Sequence, residues 1–273
     1  MKKKILTLAL AALMLLGAVA LTACGPAYNT VDDIKAAGKL VVYTEAGFAP
    51  YEFVYNNEIV GVDIEIMQKV ADKLGVELVI EDVLFDSITG AVHSGKADVG
   101  AAGITINAER AEEVDFSIPY TQTEQYVVVL ATNESVTSAE SLKGKTVGVQ
   151  QGTTSDFLVE DMIADGTMAG ATLTPYDAPA VAAAALGKID AVVTDKLTAQ
   201  IIVNGSNGQY KTFKLVKADG SDVADEVEAY GICVGKGNET LLAVINEVLE
   251  ELLAEDTITK WEVEFNTLAE SAQ

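Results

Sequence analysis

GKLVVYTEAGFAPYEFVYNNEIVGVDIEIMQKVADKLGVELVI, residues 38–80, holds two structural periods in one stretch. Lys39 to Thr44 is apolar and β-branched, as a strand requires. Val62 to Leu74 puts apolar residues at 62, 64, 66, 67, 70, 71 and 74, the spacing of one helical face. Val76 to Ile80 returns to strand character. Strand, helix and strand in that order are the unit of an α/β fold with mostly parallel sheets.

The alternation continues outward. A helix is predicted over Phe85 to Ser94 and a strand over Ala97 to Ala102. Strands are predicted at Thr146 to Gln150 and Ala191 to Thr194, with helices over Ser155 to Ala164 and Ala178 to Leu186 between them. Leu241 to Leu253 and Thr257 to Leu268 read as closing helices. The chain also echoes itself. Gly38-Lys39-Leu40-Val41-Val42 returns as Gly144-Lys145-Thr146-Val147-Gly148, and Gly95-Lys96-Ala97-Asp98 returns as Gly187-Lys188-Ile189-Asp190. The shared order points to two similarly wound lobes.

Residues 1–23 read as a leader. Lys2, Lys3 and Lys4 precede an apolar run from Ile5 to Ala20 that is shorter than a membrane span. The run ends in Leu21-Thr22-Ala23-Cys24, which resembles a bacterial lipoprotein signal. That resemblance implies cleavage before Cys24, lipidation of its sulfur, a tether over 24–37, and a place on the outer face of the cytoplasmic membrane. The formal net charge is −23, and a leader with three lysines and no acids leaves the remainder more acidic still. Nucleic acid is a poor partner for such a surface. Cys233 lies in the apolar strand Tyr230 to Val234 and reads as a buried small hydrophobe. The single histidine, His93, has no metal-ligand spacing to other residues, so neither a metal site nor a histidine-based triad is expected.

Ligands of open α/β sheets bind beyond the carboxyl ends of the strands. The predicted exits are Glu45 to Tyr51, Gly103 to Thr105, Gln151 to Ser155, and Asp195. Asn107 can cap a short helix that carries Arg110 in its first turn, where backbone N–H groups favour an anion. A surface pairing of Arg110 with Glu112 or Glu113 is the bland alternative. Gly152-Thr153-Thr154-Ser155 also opens a helix, as a second arm on the same anion or as a simple N-cap. Asp195 and Glu45 supply negative charge, and Phe48, Tyr51 and Phe85 supply aromatic faces. Arg110 for a carboxylate and Asp195 for an ammonium together fit a zwitterion, an α-amino acid.

The phrases VVYTEAGFAPYEF (41–53), SGKADVGAAGITINAERAEEVDFSIPY (94–120), LKGKTVGVQQGTTS (142–155) and GKIDAVVTD (187–195) resemble the polar amino acid solute-binding proteins of ABC importers. The resemblance implies two Rossmann-like lobes, the periplasmic binding protein-like type II arrangement. One lobe would comprise 38–120 and 230–273 and the other 125–225, with a two-crossing hinge near 120–125 and 225–230. It further implies that Arg110 and the Thr154 amide, beside Thr153, hold the α-carboxylate. Thr105, the Gly103 carbonyl and Asp195 would hold the α-ammonium. Phe48 and Phe85 would sandwich the side chain, and Glu45 and Gln150 would face its tip. An acid beside an amide there is compatible with glutamine, arginine, lysine or histidine. The implied protein is a monomeric binder without cofactor or metal that delivers a free L-amino acid to ABC permease subunits. A dehydratase-like enzyme of the same fold, or a sensor for a membrane receptor, are the rival readings.

Overall fold

A computed structural model describes residues 28–224 and 227–271. In chain order, α1 (Val31–Ala37) leads into β1 (Lys39–Thr44), then β2 (Gly47–Phe48), β3 (Glu52–Tyr55) and β4 (Glu58–Val60). Next come α2 (Val62–Leu74), β5 (Glu77–Asp82), α3 (Ile88–His93), β6 (Val99–Gly100), α4 (Arg110–Glu113) and β7 (Val114–Phe116). β8 (Thr121–Thr123) precedes β9 (Gln125–Leu130), β10 (Thr146–Gln150), α5 (Thr154–Ala164), β11 (Thr172–Tyr176) and α6 (Pro179–Ala184). They are followed by β12 (Ala191–Asp195), α7 (Lys196–Gly205), β13 (Tyr210–Lys214), β14 (Glu228–Tyr230), β15 (Cys233–Gly235), α8 (Glu239–Ala254) and α9 (Thr257–Ser271).

Two five-stranded sheets form the lobes, in the orders β5-β1-β6-β15-β7 and β11-β10-β12-β9-β13. In each, one strand runs against the rest: β15 in the first and β9 in the second. Both are the first strand the chain lays down in a sheet after passing from the other lobe. The passages themselves, β8 and β14, pair antiparallel with Glu228 opposite Thr123 and Tyr230 opposite Thr121. Each sheet is buried on both faces. In β9, Val127 and Val129 enter one apolar cluster and Val128 another, which is why the run Val127-Val128-Val129 is continuously apolar.

The internal echo has a physical basis. Asp98 Oδ2 accepts from the Val41 N–H, and Asp190 Oδ2 accepts from the Thr146 N–H, each at 2.8 Å. Each aspartate N–H in turn donates to the carbonyl of the same partner at 2.9 Å. The same clasp therefore ties β1 to β6 in the first lobe and β10 to β12 in the second. Gly38, at the C-cap of α1, sits at φ 71°, where a side chain would be strained.

The structure corrects several boundaries. Phe85 to Ser94 is a 3-10 turn at Phe85–Ser87 followed by α3, and the strand expected over 97–102 keeps only Val99–Gly100. The single strand expected over 230–234 is two, β14 and β15, because the chain leaves the hinge pair at Tyr230 before it joins the sheet. Asp225 and Cys24 lie outside the described residues. α9 belongs to the first lobe's core through Phe265 and Ala269, yet that cluster also includes Ile201 of α7 in the second lobe. Asn204 Nδ2 donates to Glu270 Oε1 at 2.6 Å across the same seam.

Replacing Asp98 by alanine strands the Val41 N–H and removes the acceptor for Asn29 Nδ2, which lies at 2.7 Å. A stability loss of about 1–3 kcal/mol is expected. Asp98→Asn, which keeps one oxygen acceptor, should lose less; chemical denaturation of the two variants decides this.

Candidate functional site

The two lobes meet over a cleft lined by Phe48, Phe85, Ala102, Gly103, Thr105, Arg110, Gln150, Thr153, Thr154 and Asp195. Every one of these except Ala102 is a residue singled out from the sequence. Glu45 joins the cleft at one end, where Gln150 Nε2 donates to its Oε2 at 2.8 Å and also to the Asp177 carbonyl at 2.9 Å.

Arg110 is 8% exposed. Its Nη1 donates to the Thr105 carbonyl at 2.8 Å and its Nη2 to the Gly152 carbonyl of the other lobe at 3.0 Å. The guanidinium carbon lies 5.3 Å from the centre of the Phe85 ring. Asn107 Oδ1 accepts from the Arg110 N–H at 2.8 Å, as a cap should. Two expectations change. α4 has only four residues, so its dipole contributes little at Arg110, and no ion pair among the described residues joins Arg110 to Glu112 or Glu113. Burial lowers the affinity of this guanidinium for its charge.

Gly103 follows β6 at φ 55°. A Cβ there would lie 2.6 Å from Phe48 Cε1, so both backbone and space call for glycine. Its N–H donates to Asp63 Oδ2 at 2.8 Å. The Asp63 carboxylate also accepts from the Tyr120 hydroxyl at 2.7 Å, which ties the cleft loop to the residue preceding the hinge strand. Thr153 is the N-cap of α5: its hydroxyl accepts from the Asp156 N–H and donates to the Gln150 carbonyl. The Gly152 N–H is taken by Asp156 Oδ2. The N–H of Thr154, in the first turn of α5, has no acceptor among the described residues.

The acids around this cleft are held in an unusual state. Burial, then repulsion from Asp82, pushes the Glu45 carboxyl up to about 7 against the bond from Gln150. Burial, then Glu228, raises Asp195 to about 7, and burial raises Asp63 to about 7. Glu52 is 0% exposed, and neither of its carboxylate oxygens has a partner among the described residues. Burial, then Asp63 and Glu45, pushes its pKa well above the usual carboxylate range, which favours the neutral acid.

Asp63, Gln125, Glu228 and Tyr230 are parts of this surround that sequence reasoning missed. Asp63 carried a usable signal: an acid on the helical face otherwise formed by Val62, Ile66, Met67 and Val70. Gln125 carried a similar one as the polar opening of an apolar strand.

Two lobes, two crossing strands and a polar cleft between them define a solute-binding protein. The chain belongs to the bacterial extracellular solute-binding proteins, family 3, whose pattern it matches over residues 40–266. It is 30% identical over 261 residues to the L-cystine-binding protein TcyJ of Escherichia coli K12, covering 90% of this chain and 91% of that one. An ancestral arginine-binding protein bound to arginine superposes with a TM-score of 0.74 at 40% identity, over 84% of this chain and 98% of that one. The Streptococcus pneumoniae substrate-binding protein AbpA bound to L-arginine superposes with a TM-score of 0.79 at 26% identity, over 87% and 98% of the two chains.

Carboxyls raised on folding take up protons when the chain folds, so their contribution to stability is full at low pH. It is lost as pH rises from about 4 through about 7 for Asp63, Glu45 and Asp195. The protein should therefore melt higher at pH 5.5 than at pH 8. Glu52→Gln, which cannot ionise, should lose less stability than the native protein as pH rises from 5 to 8. Calorimetric melts across that range test both statements.

Proposed function

We propose that this protein captures an L-α-amino acid with a cationic side chain and delivers it to the permease of an ABC importer. The reading rests on one arrangement: a buried Arg110 and a buried Asp195 reach a single cleft from opposite lobes, with Glu45 at its far end. Arg110 and the Thr154 N–H take the α-carboxylate. Asp195, Thr105 and the Gly103 carbonyl take the α-ammonium, and Phe48 and Phe85 cover the side chain. Glu45 and Gln150 meet its tip. Asp82 and Asp177 add negative potential at Glu45, and no lysine or arginine among the described residues forms an ion pair with it. This favours a cation over the neutral glutamine side chain. The arginine named with two of the superposed proteins supports the same choice.

In this reading the first lobe spans 38–120 and 230–273, the second 125–225, and the crossings act as the hinge. Ligand joining the two half-sites favours the closed arrangement, because only that arrangement makes both sets of contacts. The protein acts as a monomer without cofactor. Cys24, lipidated after removal of 1–23, keeps it at the outer face of the cytoplasmic membrane beside the permease. Cys24→Ala should move it from the membrane to the soluble fraction of expressing cells.

The ligand assignment is tested by thermal shift against the twenty amino acids. Arginine or lysine should give the largest response, and Arg110→Ala should abolish it while the native fold persists. Glu45→Gln should weaken binding of the cationic ligand about 10- to 100-fold, the loss of one charge-assisted contact of about 1.5–3 kcal/mol, and should affect glutamine much less. Equal loss for both ligands would remove Glu45 from the side-chain site.

A further inference from the structure

One buried side chain and one half-buried side chain have no role in the reading above. Gln125 opens β9, the first strand of the second lobe after the outward crossing, and Glu228 opens β14, the returning crossing. Gln125 is 3% exposed. Its Nε2 lies 2.7 Å from Glu228 Oε2 and 3.4 Å from Asp195 Oδ1, and its Oε1 accepts from Ser155 Oγ at 2.7 Å. Ionised carboxylates only accept, so the amide nitrogen faces the two acids, and the amide oxygen accepts from the serine hydroxyl. One amide therefore stands between the acid of the ammonium pole and an acid carried by the hinge.

We propose that Gln125 and Glu228 are positioning residues of the ammonium pole: the Gln125 amide holds the Asp195 carboxylate in place, and Glu228 sets from the hinge the pH range over which that carboxylate takes its ligand. The proposal rests on Asp195 receiving the α-ammonium. Two carboxylates that share one amide repel, and each ionises less readily beside the other. Asp195 is faced by Glu228 and Tyr230 from β14, Thr123 from β8, Gln125 from β9 and Arg110 from α4. Glu228 is faced by Gln125, Thr154 and Arg110 on its inner side. On its outer side Lys196 and Lys214 line a cavity against the hinge. Lys214 is engaged by Glu124 at 2.7 Å and by Asp222 at 2.6 Å, and Lys196 forms no ion pair among the described residues. Asp195 thus faces one acid, Glu228, and one base, Arg110, and the acid weighs more. An arriving ammonium reverses that balance and displaces a proton wherever Asp195 still carries one. Without the Glu228 charge, Asp195 ionises at lower pH and holds the ammonium at lower pH.

The test is the dissociation constant of L-arginine from pH 5 to pH 8.5 by calorimetry, on the native protein, four single variants and the Glu45→Gln/Glu228→Gln double variant. Glu228→Gln should keep affinity within threefold at pH 8 and move the acid-side loss of affinity down by about one pH unit. Gln125→Met should weaken binding at least tenfold at every pH while its melting temperature without arginine stays near the native value. Glu45→Gln, run alongside, reports the separate titration at the side-chain end; the Glu228→Gln shift must appear in that background too. An unmoved midpoint in Glu228→Gln, with Asp195→Asn abolishing binding, overturns this proposal and leaves the cleft assignment standing. Full binding by Asp195→Asn, or no binding of arginine by the native protein at any pH, overturns the assignment beneath it and this proposal together.

Discussion

Arg110 donates from one lobe to the Gly152 carbonyl of the other, and much of the cleft is arranged around that buried guanidinium. A buried charge is expensive unless it is paired and hydrogen-bonded. Here the direct partners are two carbonyls and the face of Phe85, not a carboxylate. Asp195 and Glu228 act on it only through space. The guanidinium is held in position with its opposite charge still at a distance, which is the condition for a site that gains a great deal from a ligand carboxylate. Asp63 serves the same end from behind: by fixing the Gly103 N–H and the Tyr120 hydroxyl it holds the loop that presents the Thr105 carbonyl.

The hinge follows from how the sheets are wound. Each lobe accepts its one reversed strand from the partner lobe's side, so the chain must pass twice between sheets, and the passages lie side by side as β8 and β14. Residues at the ends of those passages touch or face groups of the cleft from behind. Gln125 and Glu228 occupy those ends, whereas Asn204 and Glu270 make their contact on α7 and α9, away from the cleft lining. Contacts of the second kind favour contact between the lobes without reading the ligand. Contacts of the first kind can read it.

Much of this was legible in the sequence, for identifiable reasons. α2 was set by its apolar spacing and ends where Gly75 stops it; β10 was set by a short β-branched run. The cleft residues were legible because they sit at strand exits, a place fixed by topology. What was not legible depended on contacts far apart in sequence. Glu52 looks like an ordinary surface acid of a very acidic chain, and only packing reveals it as buried. Gln125 meets Glu228 across a separation of 103 residues, which no local pattern encodes. The strand expected at 230–234 failed for a related reason: apolar continuity cannot show that a chain changes sheets midway.

The balance of charge at the cleft argues for the ligand more firmly than any single contact. Arg110 stands against Asp195, Glu228 and Glu45, so the acids outnumber the base. A zwitterion with a neutral side chain brings no net charge and leaves that excess untouched. A cationic side chain reaching Glu45 reduces it, and the remaining excess falls on Glu228, where the Gln125 amide already donates. Burial first, and acidic neighbours after it, make Glu45 and Asp195 weaker acids than usual, and a ligand with two cationic groups offsets that cost at both places. Proton uptake by the pocket and cation binding are then competing answers to one electrostatic deficit. Affinity and folded stability should accordingly respond to pH in opposite directions, since protons that relieve the deficit in the protein alone must leave before the ligand can fill it.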